Sequence, residues 1–330
     1  MLVACGAPAT EPEAGSPGGD PVPAAVSPAS TSQPVVEQPA DTSATVESAP
    51  YPLSEAGPYH VGVHKLAPEG LNRDGRIVRL RIFYPALRPE DVGARRTTAD
   101  AEPDRSGAPY PLLVSSTTMA RDLAPYLVTH GFAWASVDGI ESYAKMNTEM
   151  IDQPLDILFA LEQFASHPPE GLEGMIDAEH AGAIGYSFDG YNALVLGGAR
   201  IDPEQYLAQC PTPDATTASI LGDLSAFDCA AAQDWKAFEE HAGPEITASD
   251  DGLWQPMTDA RIRAVMPMAG EGWWLFGERG LAAVDRPVMM LVGTQDMLYA
   301  ENALIFEHLG TPDRALISFL GSTHGLIFVE

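Results

Sequence analysis

Three residues in the second half of the chain carry groups that can pass a proton in series: the hydroxyl of Ser187, the carboxylate of Asp296 and the imidazole of His324. An imidazole that takes the Ser187 proton turns a weak nucleophile into one able to attack an acyl carbon. A carboxylate on the other ring nitrogen fixes the tautomer and stabilises the imidazolium. Ser187 sits in Gly185-Tyr186-Ser187-Phe188-Asp189-Gly190, where a strand pattern runs into a helix pattern. Such a turn lifts a hydroxyl above a sheet, and small flanking residues let strand and helix approach closely. The hexapeptide alone decides little, because Gly-x-Ser-x-x-Gly arises by chance in roughly one chain of this size in six. Its context decides more. Asp296 follows the run Pro287 to Val292 through Gly293-Thr294-Gln295, and His324 follows Ala315 to Leu320 through Gly321-Ser322-Thr323. Both fall at strand ends, the edge where open α/β sheets build their sites.

The elements that must carry these residues read as an α/β chain, with apolar runs of strand length alternating with helical periodicity. Arg76 to Tyr84 alternates with period two, which predicts an antiparallel strand at the start of the fold. Tyr110 to Ser115, Phe132 to Val137, His180 to Tyr186, Ile262 to Met268, Val288 to Val292 and Ala315 to Leu320 read as further strands. Helices are predicted over Ala120 to His130, Phe188 to Leu196 and Glu301 to Leu309. Another carries Ile151, Leu155, Leu158, Leu161 and Ala165 on one apolar face. The expected architecture is a mostly parallel central sheet with helices on both faces. The interval of about 201–260 is longer than a strand-to-helix connection needs and predicts a cap insertion. Cys210 and Cys229 lie in it and, in an exported chain, are candidates for a disulfide.

Charge and composition remove several function classes. The 46 acidic against 18 basic residues give a formal charge of −28, which repels nucleic acid and anionic lipid surfaces. No run of 18 apolar residues is present to span a bilayer as a helix. The opening Leu2-Val3-Ala4-Cys5 resembles a bacterial lipobox, so residues 1–5 read as the remnant of a lipoprotein signal with Cys5 as the lipidation site. A basic region and an apolar stretch should precede such a signal, and only Met1 does, which points to a start site placed too late. Residues 6–52 hold ten of the 29 prolines and six acids but no lysine or arginine, and read as a disordered tether. A folded domain is expected over 57–330. The localisation implied is extracytoplasmic, with the membrane reached only through a lipid on Cys5. The remaining histidines show no zinc-type spacing, so no metal site is expected.

Three stretches carry a family resemblance: Tyr186-Ser187-Phe188-Asp189-Gly190-Tyr191-Asn192-Ala193-Leu194, the run LAAVDRPVMMLVGTQD ending at Asp296, and GSTHGLIF around His324. In these the chain resembles the predicted dienelactone hydrolases related to platelet-activating factor acetylhydrolase, within the α/β-hydrolase superfamily. The resemblance implies an α/β-hydrolase fold and roles for Ser187, His324 and Asp296 as nucleophile, base and orienting acid. It further implies hydrolysis of a small-molecule or lipid-like carboxylic ester without metal or other cofactor. Some relatives place the acid one strand earlier, which makes Glu271 the reserve acid. The oxyanion hole is expected from the backbone N–H of Phe188 and of Met119, with Thr118 the next choice. Trp273 and Trp274 follow a strand end and are candidates for an acyl or aromatic pocket, or for ordinary packing.

This chain departs from the family pattern at Asp189, where a glycine is usual. Near the developing oxyanion a carboxylate would oppose the charge the site must stabilise, unless it turns outward. Ser115-Ser116-Thr117-Thr118-Met119 replaces a usual His-Gly or Pro-Gly pair, and the sequence ends six residues after His324, where the fold usually adds a helix. Three functions therefore stand: a serine esterase with an acyl-enzyme intermediate, a polyester or cutinase-like hydrolase, and a fold retained for binding after its chemistry has decayed.

Overall fold

The computed structural model describes residues 53, 55–93, 97–116, 120–121, 123–138, 146–210 and 229–325. Two long strands open the fold, β1 (His60–Arg73) and β2 (Arg76–Ala86), joined by Asp74-Gly75. Both turn residues have positive φ, 51° and 91°, as a two-residue hairpin turn that follows the strand twist requires. The turn sets Arg73 directly opposite Arg76. β2 is legible in the sequence but β1 is not, because its alternation is interrupted by a register shift between Leu66 and Leu71.

The remaining strands are β3 (Thr97–Ala99), β4 (Tyr110–Ser116), β5 (Ala133–Val137), β6 (Ile176–Tyr186), β7 (Ile262–Met268), β8 (Val288–Gly293) and β9 (Arg314–Phe319). Among the described residues they form one sheet in the order β3-β1-β2-β5-β4-β6-β7-β8-β9. β2 runs antiparallel to β1 and β5, and all other neighbours are parallel. From β4 the chain crosses to β5 on one side, then returns past β4 to β6 on the other. The carboxyl ends of β4 and β6 therefore flank a switch point, where an open sheet leaves a crevice.

The larger core lies on one sheet face beneath α2 (Met146–Ser166) and α3 (Phe188–Leu196), with α7 (Trp273–Leu281) and α8 (Tyr299–His308) further along. On the opposite face packs α1 (Ala124–Thr129). That helix is shorter than the span read from sequence and carries Pro125 in its first turn. Met289, Ile317 and Phe319 on this second face remain exposed.

The buried stripe of α2 is centred on Met150, Ile157, Ala160, Leu161 and Phe164. Leu155, Leu158 and Ala165, expected at its centre, lie at its margin. The shift follows from Glu149, Asp152 and Asp156, which are also buried because they face the two hairpin arginines. Pro154 lies inside the helix and lacks the N–H that would bond the Met150 carbonyl. The Tyr191 hydroxyl of α3 donates to that carbonyl at 2.8 Å, so the group is not left unpaired.

Between α3 and β7 come α4 (Pro203–Gln209), a short 3₁₀ turn at Ala231–Asp234, α5 (Trp235–Ala242) and α6 (Pro244–Thr247). Cys210 and Cys229 are joined by a disulfide, with Cα atoms 5.5 Å apart. Tyr206, Phe238 and Trp254 of this insertion belong to the same hydrophobic cluster as the sheet and α2, so it is continuous with the main core.

Candidate active site

Ser187 follows β6 with φ 58°, a left-handed conformation that a side chain adopts at a cost, of the kind stored at functional turns. The turn closes because two glycines omit a side chain. A Cβ on Gly185 would lie 1.8 Å from the Asp189 carbonyl oxygen, and one on Gly190 would lie 2.6 Å from the Gly270 Cα. The Ser187 N–H donates to the Met268 carbonyl at 2.9 Å, and the Gly190 N–H returns to the Ser187 carbonyl at 2.8 Å. The Phe188 N–H, at the first position of α3, has no acceptor among the described residues.

The acid and the histidine arrive at the ends of β8 and β9. Asp296 follows β8, its carboxylate buried, and accepts the Leu298 N–H at 2.8 Å. His324 follows β9, and its loop is knitted to that of Asp296. Gln295 N–H bonds the Ser322 carbonyl at 2.9 Å, and Gly321 N–H bonds Thr294 Oγ1 at 2.9 Å. Gly293 permits this, because a Cβ there would meet the Ser322 carbonyl oxygen at 2.2 Å. His324 Nδ1 lies 3.0 Å from both oxygens of Asp296, and Nε2 lies 3.1 Å from Ser187 Oγ. An ionised carboxylate can only accept, so Nδ1 carries the proton, Nε2 is left as acceptor and the Ser187 hydroxyl donates to it.

A sharp strand-to-helix elbow bearing the serine, with acid and histidine following in that chain order on a mostly parallel sheet, decides the architecture. This is an α/β-hydrolase fold.

The other sequence-predicted residues separate. Glu271 is buried just before α7, while both ring nitrogens of His324 are engaged by Asp296 and Ser187. Trp274 packs in the core, its ring 5.8 Å from that of Tyr206 in the insertion. Trp273 packs against His308 of α8 at 5.1 Å. Thr118, Met119 and Cys5 lie outside the described residues.

Asp189 corrects an expectation. Its carboxylate turns neither outward nor toward the Ser187 hydroxyl but inward to the end of β4. Its Oδ1 accepts the Ser116 N–H at 3.3 Å and the Asn192 Nδ2–H at 2.9 Å, and its other oxygen accepts the Ser116 hydroxyl. Burial pushes this carboxyl up to about 6, with the bonds from Ser116 and Asn192 pulling the other way.

Three supporting groups went unread in the sequence. The Tyr186 hydroxyl donates to the His324 carbonyl, and the two rings lie 4.9 Å apart, so the residue before Ser187 holds the histidine loop. Glu301 accepts the N–H groups of Gly272 and Trp273 at 2.8 and 2.9 Å. Asn302 brackets Gly270 by accepting its N–H at 3.2 Å and donating to its carbonyl at 2.8 Å. The position of Tyr186 inside the elbow motif was the available signal for the first. The other two depend on how α8 docks.

No family model matches the chain, and no curated protein matches it. Among solved structures it is similar to a cold-adapted esterase from an Arctic intertidal metagenomic library. The native form is 17% identical at a TM-score of 0.42, covering 77% of this chain and 82% of that one. The zinc-bound form is 16% identical at a TM-score of 0.44, covering 81% and 89% respectively.

Proposed function

We propose that this chain is a serine-dependent carboxylic ester hydrolase acting through an acyl-enzyme. One observation carries the reading: the hydroxyl of a strained elbow serine lies 3.1 Å from an imidazole whose other nitrogen is held by a buried carboxylate. Ser187 attacks the ester carbonyl as its proton passes to His324, and the alcohol leaves with that proton. Water, deprotonated by His324, then releases the acid and restores the serine. The Phe188 N–H serves the oxyanion, joined by an N–H from Met119 or Thr118. The substrate is a small or lipid-like ester with a short or oxidised acyl chain, the class the family resemblance implies.

A fluorophosphonate probe and a panel of short esters test this. Wild type is expected to label and hydrolyse, and Ser187→Ala to lose labelling and roughly 10⁴-fold or more in kcat. A folded wild type that takes no label would overturn the reading in favour of a binding protein that keeps the fold.

We further place the chain outside the cytoplasm, tethered by lipid on Cys5. The lipobox-like start and the tether composition support this, as does the Cys210–Cys229 disulfide, a bond that persists in oxidising compartments. Expressed behind a lipoprotein leader, the wild type should fractionate with membranes and Cys5→Ala should not. Equal partition of the two sinks the tether.

A further inference from the structure

The nucleophile elbow carries a buried polar chain that the relay itself does not use. It begins at Trp134 on β5, whose indole N–H donates to Ser115 Oγ at 2.8 Å. The Ser115 hydroxyl donates in turn to the Ser116 carbonyl at 2.7 Å. Ser116 then gives both its N–H and its hydroxyl to Asp189, and Asn192 gives its amide to the same carboxylate. All five residues are buried, none more than 4% exposed. The chain therefore crosses the switch point, linking the carboxyl end of β4 to the first turn of α3, one residue from the Phe188 N–H.

This arrangement is not one that stability alone would keep. Among the described residues no cation lies beside Asp189: desolvation dominates its environment, and the hydrogen bonds of Ser116 and Asn192 offset it. Asn192, turned to serve Asp189, leaves its own Oδ1 buried without a partner among the described residues. Two unfavourable burials side by side near the start of the elbow helix are the kind of local conflict that proteins retain at functional sites.

We propose that Asp189 is a positioning residue for the ester-hydrolase site, clamping the end of β4 through Ser116 to the elbow and so fixing the Phe188 N–H relative to Ser187. The inference rests on the hydrolase reading above. The clamp works through hydrogen bonds and not through charge. A neutral amide at position 189 preserves it, since its oxygen can accept from Ser116 N–H and Asn192 while its nitrogen donates to Ser116 Oγ.

The test is a kcat and KM comparison of Asp189→Ala, Asp189→Asn, Ser116→Ala and the Asp189→Ala/Ser116→Ala pair on one short ester. Thermal unfolding is followed alongside. Misplacing an oxyanion donor predicts a roughly 10- to 100-fold loss of kcat with KM within about twofold for Asp189→Ala. Ser116→Ala should share that loss, the double variant should be little worse than either single one, and Asp189→Asn should restore kcat to within about threefold of wild type. Ser116→Ala removes only one oxygen and keeps the test open if Asp189→Ala does not fold. Wild-type kcat in either alanine variant, or losses that multiply in the pair, overturns the clamp alone. A wild type that neither labels nor hydrolyses overturns the hydrolase reading and the clamp with it.

Discussion

Two groups of buried carboxylates in this molecule are built on opposite plans. At the β1–β2 hairpin, Arg73 and Arg76 meet Glu149, Asp152 and Asp156 of α2, with nitrogen–oxygen distances from 2.6 to 3.4 Å. His241 of the insertion adds a contact to Asp152 at 3.1 Å. Although burial works against it, hydrogen bonds donated to Glu149 and Asp156 hold the Arg76 guanidinium above its ordinary pKa. At the elbow, Asp189 is as deeply buried and, among the described residues, meets only neutral donors. The hairpin network carries its own countercharge and can serve as architecture, tying hairpin, helix and insertion together. The elbow carboxylate carries none, so its hydrogen bonds must supply what a cation would. Burial by itself therefore says little about what a carboxylate contributes.

The sharpest way to break the contrast is to remove a cation from the compensated side. Arg73→Met strips Asp152 and Asp156 of one partner and should lower unfolding stability by about 3 to 5 kcal/mol in urea titration at pH 7. A loss below about 1 kcal/mol would mean that the acids of α2 do not depend on Arg73, and the two regions would cease to differ.

The uncompensated side should respond with the opposite sign. The folded-state pKa of Asp189 is raised from 3.8 to about 6, so the native state holds its proton more tightly than the unfolded chain does. The ionised carboxylate then costs nothing below pH ~4, costs progressively more from there to pH ~6, and its full penalty above that. Asp189→Asn removes the ionisation, and its stability relative to wild type should improve between pH 4 and pH 8 by no more than about 3 kcal/mol. Unfolding midpoints of both proteins measured at those two pH values decide it. A difference that does not change with pH would show that desolvation of the charge is not what distinguishes this site.

Legibility in the sequence was uneven, for identifiable reasons. β7 matched its predicted span at both ends, and α3 did too, because apolar runs bounded by glycine and turn residues report local preference directly. The Asp74-Gly75 turn was also written in the chain and went unread, and with it β1, whose alternation is broken in mid-strand. β3 is three residues long and forms by pairing with β1, so nothing local announces it. The helix Trp273–Leu281 was missed because two adjacent tryptophans after a strand end looked like a pocket wall. In the fold its first N–H groups are instead taken up by Glu301 from a helix further along the chain.

By itself, the sequence determined which side chains could form a proton relay and which strand ends would carry them, since both follow from residue type and from spacing along one chain. Tertiary structure decided what those side chains face. Asp296 and not Glu271 meets the imidazole, Asp189 turns toward Ser116, and Tyr186 holds the histidine loop. Each of these depends on contacts between residues carried by different strands and far apart in the chain, and periodicity carries no information about such distances.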